Sequence, residues 1–405
     1  MEKKIDRAVR IYPWYAGLEG DLLFYIAVDT LFLTVVKNFT DVQIVSLNAL
    51  SQIICIALQF PVLFVIRRVG NTNSVRLGAL FMLLSSILIT IGKTYSVVLL
   101  GRICHDVAAI FYTASVVMLK NNLELAGRRS DFVKLRAKGN TVYSAITMVI
   151  AFVASLMFNL NHYLPMIGCI TTCATGFLLS FFMKDFSGSN KLALKNEKGG
   201  KNRFRYSGLV IMTLAVYGLF YPIVNSGQSD GKLFIQQHLL QNFNVEDTAL
   251  VIGAVICVSR VVRVFSNILF ARLYEKYQTK TGVALPVLLC TAIGLLLFGA
   301  RIPGVFFKIA VMSLGYIIIL FARDPFRLYI QDMLLEHTPA EQHQTLLTMM
   351  TLVMKVGTAG MGLGFSAVLL RFPMAVVMAI LFVIAQLEIL LSLKLYHMVE
   401  AVKTK

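Results

Sequence analysis

The stretch KDFSGSNKLALKNEKGGKNRFRY, residues 184–206, is the long hydrophilic segment of a chain that is otherwise strongly apolar. Its lysines, glycines, serines and asparagines are typical of a linker between domains. Outward from it in both directions lie windows of about 20 mainly apolar residues, the length that an α-helix needs to cross a hydrocarbon core of about 30 Å. We therefore predict an N-terminal half over residues 1–183, a cytoplasmic linker over residues 184–206, and a C-terminal half over residues 207–405.

The composition of the whole chain excludes a water-soluble protein. Of its 405 residues, 57% are hydrophobic and 15% are charged. Lipid offers no hydrogen-bond partners to the backbone, so helices are the expected structure. We predict an all-α, polytopic membrane protein with twelve transmembrane helices in two six-helix bundles. The predicted spans are residues 11–36, 43–66, 76–92, 95–119, 139–161, 164–183, 207–227, 248–271, 283–300, 303–322, 345–370 and 373–396.

The net charge of +17 indicates a membrane topology and not a nucleic-acid partner, because the basic residues are concentrated in alternate loops. By the positive-inside rule, this pattern places both termini and the linker in the cytoplasm. The first span carries Glu19, Asp21 and Asp29 and so does not resemble a cleavable signal. We expect a multi-pass protein of the cell membrane, surrounded by the lipid bilayer and monomeric.

Polar side chains follow stripes on particular spans. Residues three and four apart share a helix face, and an ionisable group that faces hydrocarbon is costly. The stripes should therefore converge on a water-accessible interior, whereas spans 3, 6, 9 and 12 are nearly apolar, as in transporters built from three-helix units. The striped spans carry Asp21, Tyr25 and Asp29; Arg102 and Asp106; Asn225 and Gln228; Arg260 and Arg263; Arg323 and Arg327; and Thr351, Lys355 and Thr358.

Arg260 and Arg263 lie one turn apart on the eighth span without an acidic residue on the same helix. Each needs an acidic partner from another span, such as Asp29, or an anionic ligand, and both alternatives stay open. On the second alternative, an anionic or zwitterionic substrate binds Arg260 and, secondarily, Arg263. The full set of predicted substrate-binding residues is Arg260, Arg263, Arg102, Asn225, Gln228, Lys355 and Tyr25.

Membrane-embedded carboxyls are candidates for proton coupling, because burial favours their protonated form and a neighbouring arginine favours their ionised form. We predict this role for Asp29, Asp21 and Asp106, and sodium coupling stays open. As an alternative, Arg102 and Asp106 neutralise each other on their own helix. His105 is a lesser candidate, since a lone histidine beside a polar pair is more often a hydrogen-bonded structural residue.

Two predicted inner loops resemble the diagnostic motif of the major facilitator superfamily, G-x-L-x-D-R-x-G-R-K. The copy after the second span, LFVIRRVG over residues 63–70, keeps the basic Arg68 and the glycine but has Arg67 where the family has aspartate. The copy after the eighth span, ARLYEKYQTK over residues 271–280, keeps the acidic Glu275 and the basic Lys276. The glycine before Arg102 is also similar to the family's fourth-span signature.

The resemblance implies a secondary transporter whose inner side is closed by this motif, with gating roles for Arg68, Glu275 and Lys276. Arg67 cannot fill the acidic role, so the latch is carried by the second copy or its polarity is altered; alternatively, Arg67 and Arg68 serve membrane topology alone. We further predict an inner gate of salt bridges among three residues near the end of span 10, with ordinary helix-end charge as the alternative. These three residues are Arg323, Asp324 and Arg327.

The hydrophilic segments contain no nucleotide-binding loop, metal-ligand cluster or Ser-His-Asp arrangement. We therefore expect no enzyme, no catalytic residue, no metal and no cofactor. The predicted function is secondary active transport of a small organic solute by alternating access, coupled to a proton gradient. Two alternatives stay open: a flippase or exporter of lipids or amphiphiles on the same scaffold, and a membrane receptor that does not transport.

Overall fold

The computed structural model describes residues 2–128, 131–186, 208–277, 280–338 and 343–403. Within these ranges the regular structure is helical, and no β-strand occurs. The helices in chain order are α1 (Glu2–Leu18), α2 (Leu23–Leu31) with a π-helical end (Phe32–Val36), α3 (Asp41–Ile91), α4 (Tyr95–Leu125), α5 (Asp131–Leu160), α6 (Leu164–Ser180), α7 (Gly208–Leu240), α8 (Val245–Tyr277), α9 (Thr281–Gly299), α10 (Val305–Glu336), α11 (His343–Leu369) and α12 (Met374–Lys403).

The surface of the protein is that of a membrane protein. Eight of the helices are long and apolar enough to cross a bilayer, and α6 is a shorter apolar helix. Large side chains such as Phe60, Leu160 and Phe306 expose 79%, 81% and 81% of their area, which is favourable only where the surrounding medium is itself apolar. The chain is therefore an all-helical, multi-pass membrane protein, as predicted. The number of twelve spans is not confirmed.

Two local features separate the observed helices from the predicted spans. The first predicted span, residues 11–36, is broken between Leu18 and Leu23, where the backbone N–H of Leu22 donates to the Asp21 side chain at 2.9 Å. The second and third spans run on as α3, with a kink at Gly70, whose φ of 82° lies in the region that glycine enters readily. Helix termini leave backbone groups unpaired, and the Asp21 carboxylate satisfies one of them at the break.

The chain forms two compact units. The first contains residues 1–29 and 54–203, and the second contains residues 30–53 and 204–405. The end of the first unit falls inside the predicted linker, most of which, from residue 187 to 207, lies outside the described residues. Residues 30–53, which the sequence assigned to the N-terminal half, group with the second unit.

In the first unit, α1 packs mainly on α5 and also contacts α4 and α6. The chain just after α1 lies close to α5, since a Cβ on Gly20 would lie 2.8 Å from the ring of Tyr143 on α5. In the second unit, α7 packs on α10, α11 and α12, and α8 packs on α10. A Cβ on Gly357 of α11 would lie 2.6 Å from the Gly218 carbonyl oxygen of α7. Small residues thus bring both helix pairs close together.

Candidate functional site

The polar cluster of the first unit is built around His105 of α4. Its Nε2 lies 2.9 Å from Oδ1 of Asp21, at the break that follows α1, and its Nδ1 lies 3.3 Å from Oδ1 of Asp106. The exposed fractions of these side chains are 12% for His105, 30% for Asp21 and 8% for Asp106. An imidazole that is protonated donates from both ring nitrogens, which matches its position between two carboxylates.

Arg102 lies one turn before Asp106 on α4, and its charge interacts with Asp106, Tyr25, Asp21 and Asp29. Its Nε is buried without a hydrogen-bond partner. The guanidinium therefore compensates several acidic groups at once and keeps one donor unused. The structure brings together the three predicted proton-coupling residues and two of the predicted substrate-binding residues, Arg102 and Tyr25, in this first-unit cluster.

The polar cluster of the second unit is built around Asp324 of α10. Arg263 of α8 donates to it from Nε at 2.5 Å and from a terminal nitrogen at 3.1 Å, in the bidentate geometry of a strong ion pair. Arg327, one turn further along α10, reaches Asp324 at 3.9 Å. The Asp324 side chain is 7% exposed. Arg263 thus has an acidic partner from a neighbouring helix, which is Asp324 and not Asp29.

Two further contacts join α7 to its neighbours in this second-unit cluster. Arg323 donates to Oε1 of Gln228 at 3.0 Å, and its guanidinium carbon lies 5.8 Å from the centre of the Tyr221 ring. Asn225 donates to the Thr358 hydroxyl of α11 at 3.1 Å. The partly buried Lys355 lies one turn before Thr358 on the same helix. The second unit therefore collects five of the predicted substrate-binding residues, which are Arg260, Arg263, Asn225, Gln228 and Lys355.

Arg260 differs from the other arginines of the second-unit cluster. Among the described residues no carboxylate lies within ion-pair distance of it, and its Nε is buried without a hydrogen-bond partner. Gln228 likewise keeps a buried amide nitrogen without an acceptor. Together with Arg102, three predicted substrate-binding residues hold a buried donor that has no acceptor. Buried donors are rarely left without an acceptor in proteins, so each of these three donors can still accept a partner that the described residues do not supply.

The predicted gating residues differ from one another in burial and in position along their helices. Arg323, Asp324 and Arg327 lie inside α10, which continues to Glu336 although it contains Pro325. Asp324 is buried, so these charges do not mark the end of the helix. Arg68 is exposed within α3. Glu275 and Lys276 belong to the last turn of α8, and their side chains lie outside the described residues.

Sequence reasoning missed an acidic residue at the loop where Arg67 replaces the family's aspartate. Asp185, just after α6, accepts hydrogen bonds from Asn71 at 2.7 Å and Asn121 at 3.1 Å. Its backbone N–H donates to the Thr72 hydroxyl at 2.9 Å. A carboxylate therefore does contact the segment after Gly70, but it comes from the start of the linker. The sequence did not indicate this contact, because Asp185 belongs to the predicted linker and the partner of a charge in a hydrophilic segment cannot be predicted from the sequence.

No group of three histidine, cysteine, aspartate or glutamate side chains within the described ranges is arranged to hold a metal ion. The six cysteines are free thiols, and five of them are buried.

Comparison with known proteins identifies the fold. No protein-family profile matches the sequence, and no curated protein matches it. Solved structures do match: the nucleoside transporter NupG has a TM-score of 0.68 at 14% identity, covering 98% of both chains, and a mutant form of NupG has 0.70 at 12%, covering 97% of this chain and 98% of that one. A bacterial homologue of the iron transporter ferroportin, solved in an inward-facing state, has 0.68 at 11%, with coverage of 97% and 98%.

These structures share the major facilitator fold. The likeness extends over nearly the whole length of both partners, so this chain has the same fold. The resemblance inferred from the two inner loops is thereby confirmed. The matched structures are of transporters and not of enzymes.

Proposed function

We propose that this protein is a secondary active transporter that moves a small organic solute across the cell membrane by alternating access, driven by a proton gradient. Ionisable groups inside membrane helices are costly and occur where they serve substrate or ion movement. Each unit of this chain contains a cluster of ionisable side chains on its helices. The major facilitator fold is consistent with this function, although a fold does not itself determine a function.

The observation that carries the proposal is the unused hydrogen-bonding capacity at Arg260 and Gln228. Arg263 is compensated by Asp324, whereas Arg260 has no such partner among the described residues. A permanently charged guanidinium binds carboxylate and phosphate groups well. We therefore assign Arg260 as the main contact for an anionic or zwitterionic solute, with Gln228 of the same unit as a neutral donor.

The first experiment is a thermal-stability screen of the purified protein with named solutes. The panel contains lactate, glutamate, uridine and uridine monophosphate, because the cluster suits anions and one matched structure is of a nucleoside transporter. A solute that raises the melting temperature is then tested for counterflow in proteoliposomes. Accumulation of the solute that depends on an imposed pH gradient supports proton coupling. Accumulation that is the same with and without the gradient contradicts it.

Replacing Arg260 tests the assignment of the site. We expect Arg260→Gln to weaken binding of an anionic solute at least about tenfold, equivalent to about 1.4 kcal/mol, while leaving the protein folded, because no ion pair is broken. Titration by thermal shift or calorimetry measures the affinity. Arg371→Gln, an exposed loop position, is the matched control and should bind as the wild type does.

Three outcomes would contradict the proposal. Normal transport by Arg260→Gln would exclude Arg260 as the substrate contact. Exposure of a fluorescent lipid in proteoliposomes without solute counterflow would identify a flippase, and binding of a solute without any flux would identify a receptor.

A further inference from the structure

Glu19 is a buried carboxyl that the predicted set of coupling residues does not include. It follows the last residue of α1, at the break before α2, and only 3% of it is exposed. Its Oε1 is buried without any hydrogen-bond partner. The carboxyl lies against α6, where a Cβ on Gly176 would overlap it. The absence of a side chain at Gly176 therefore provides the space that Glu19 occupies.

Among the described residues no cation forms an ion pair with Glu19, and the charges of Arg136 and His105 act on two of its neighbours, Tyr112 and Cys173. Tyr15 of α1, Tyr112 of α4 and Cys173 of α6 are the titratable groups that interact with it. From α5, the uncharged ring of Tyr143 lies against the adjacent Gly20. Phenol and thiol groups are neutral near pH 7. An ionised Glu19 would therefore lack a direct ion-pair partner among the described residues in a buried site, which is unfavourable.

The other acidic groups of the first unit are in a different situation. Asp21 and Asp106 both lie within hydrogen-bond distance of His105, and the charge of Arg102 acts on both of them and on Asp29. Each of these carboxylates therefore has a cationic neighbour. Glu19 is set apart because it is buried and, among the described residues, has neither a hydrogen-bond partner for Oε1 nor an ion pair.

We propose that Glu19 is a proton-binding site of the first unit. Its carboxyl is neutral in the present conformation, and it transfers its proton to water when the break between α1 and α2 becomes hydrated. The break provides the route, since the helix is already interrupted at Glu19 and only the short segment to Leu23 separates the two helices. This inference rests on the proposed function, in which a proton drives transport, and it names the residue that would bind that proton.

Infrared difference spectroscopy of the purified full chain tests the protonation state without any substrate. The wild-type minus Glu19→Gln spectrum at neutral pH should contain the C=O stretch of a protonated carboxyl, and this band should shift in D₂O. Glu124→Gln removes an exposed carboxyl of the same unit and should change carboxylate bands alone. A Glu19→Gln spectrum that loses carboxylate bands, or that equals the wild type, would overturn the proposal.

Proton release is measured separately, with a pH-indicator dye after an alkaline jump. Glu19→Gln should release fewer protons than the wild type, whereas Glu124→Gln should differ little in the same pH range. Equal release by wild type and Glu19→Gln would overturn the proposal. If Glu19→Gln does not fold, Glu19→Asp keeps the carboxyl and should shift the C=O band; an unshifted band would count against the assignment. Because neither measurement uses a solute, a failed transport assay would not affect them.

Discussion

The two polar clusters have opposite composition. In the first unit one histidine lies between two carboxylates, Asp21 and Asp106. In the second unit one carboxylate, Asp324, lies between two guanidinium groups, Arg263 and Arg327. A histidine side chain can be charged or neutral, whereas arginine keeps its charge at every accessible pH.

This difference suggests a division of labour between the two units. A cluster that combines carboxyls with a histidine can change its charge with pH, and the buried Glu19 belongs to the same unit. A cluster of fixed positive charge, with an uncompensated donor on Arg260, is suited to holding an anion. The following variants test whether the two clusters are as different as this comparison implies.

The largest effect is expected from Asp324→Asn. The substitution removes the acidic partner of Arg263 and leaves a partly buried positive charge uncompensated. Removing one partner of a buried pair destabilises by about 3–5 kcal/mol, and the exposed fractions of 24% for Arg263 and 7% for Asp324 place this pair near the buried limit. Thermal unfolding of the purified protein measures the loss.

The double variant Arg263→Gln with Asp324→Asn is the matched control, because it removes both charges and should recover part of the stability. If the single variant were as stable as the wild type, the bidentate pair would not organise the second-unit cluster. If the double variant were less stable than the single one, the uncompensated charge of Arg263 would not be the cause of the lost stability.

A smaller loss is expected from His105→Gln. Glutamine presents amide N–H donors to one carboxylate, so the hydrogen bond of the imidazole to Asp21 or to Asp106 is lost. Losing a hydrogen bond to a charged group costs about 1.5–3 kcal/mol. Thermal unfolding at one fixed pH measures this effect beside that of Asp324→Asn. A loss equal to or larger than that of Asp324→Asn would contradict the ranking of the two clusters.

His162→Gln is the control for this variant, because His162 lies in the loop between α5 and α6 and packs on Phe158 without an ion pair among the described residues. It should leave stability nearly unchanged. A similar loss in both variants would show that histidine replacement as such, and not the two carboxylates, causes the effect.

The sequence was sufficient to predict an all-helical membrane protein and the polar stripes, because both follow from local periodicity and from the cost of burying charge in lipid. The same reasoning indicated that Arg263 needs either a partner from another helix or an anionic ligand. It proposed Asp29, whereas the partner is Asp324. Which helices are neighbours depends on packing, here of α8 on α10, and the spacing of residues along one helix does not contain that information.

The break in the first span and the position of His105 were also beyond sequence reasoning. Gly17 and Gly20 flank Glu19, but glycine is common in membrane helices and does not by itself predict a break. The sequence makes His105 a lesser candidate because a lone histidine beside a polar pair is more often a hydrogen-bonded structural residue. Its second partner, Asp21, is 84 residues away in sequence and reaches it because the chain leaves the helix after Leu18.

The smallest effect is expected from Thr358→Val, which replaces the hydroxyl that accepts a hydrogen bond from Asn225 with a methyl group of similar shape. A single neutral hydrogen bond contributes about 0.5–1.5 kcal/mol, so the melting temperature should fall slightly and solute binding at Arg260 should persist. Thr175→Val is the control, because its hydroxyl bonds to a carbonyl of its own helix, at 2.8 Å on an exposed face. If Thr358→Val destabilised the protein as much as Asp324→Asn, neutral contacts between α7 and α11 would hold the second-unit cluster together as firmly as its ion pair, and the contrast in charge between the two units would not explain their stability.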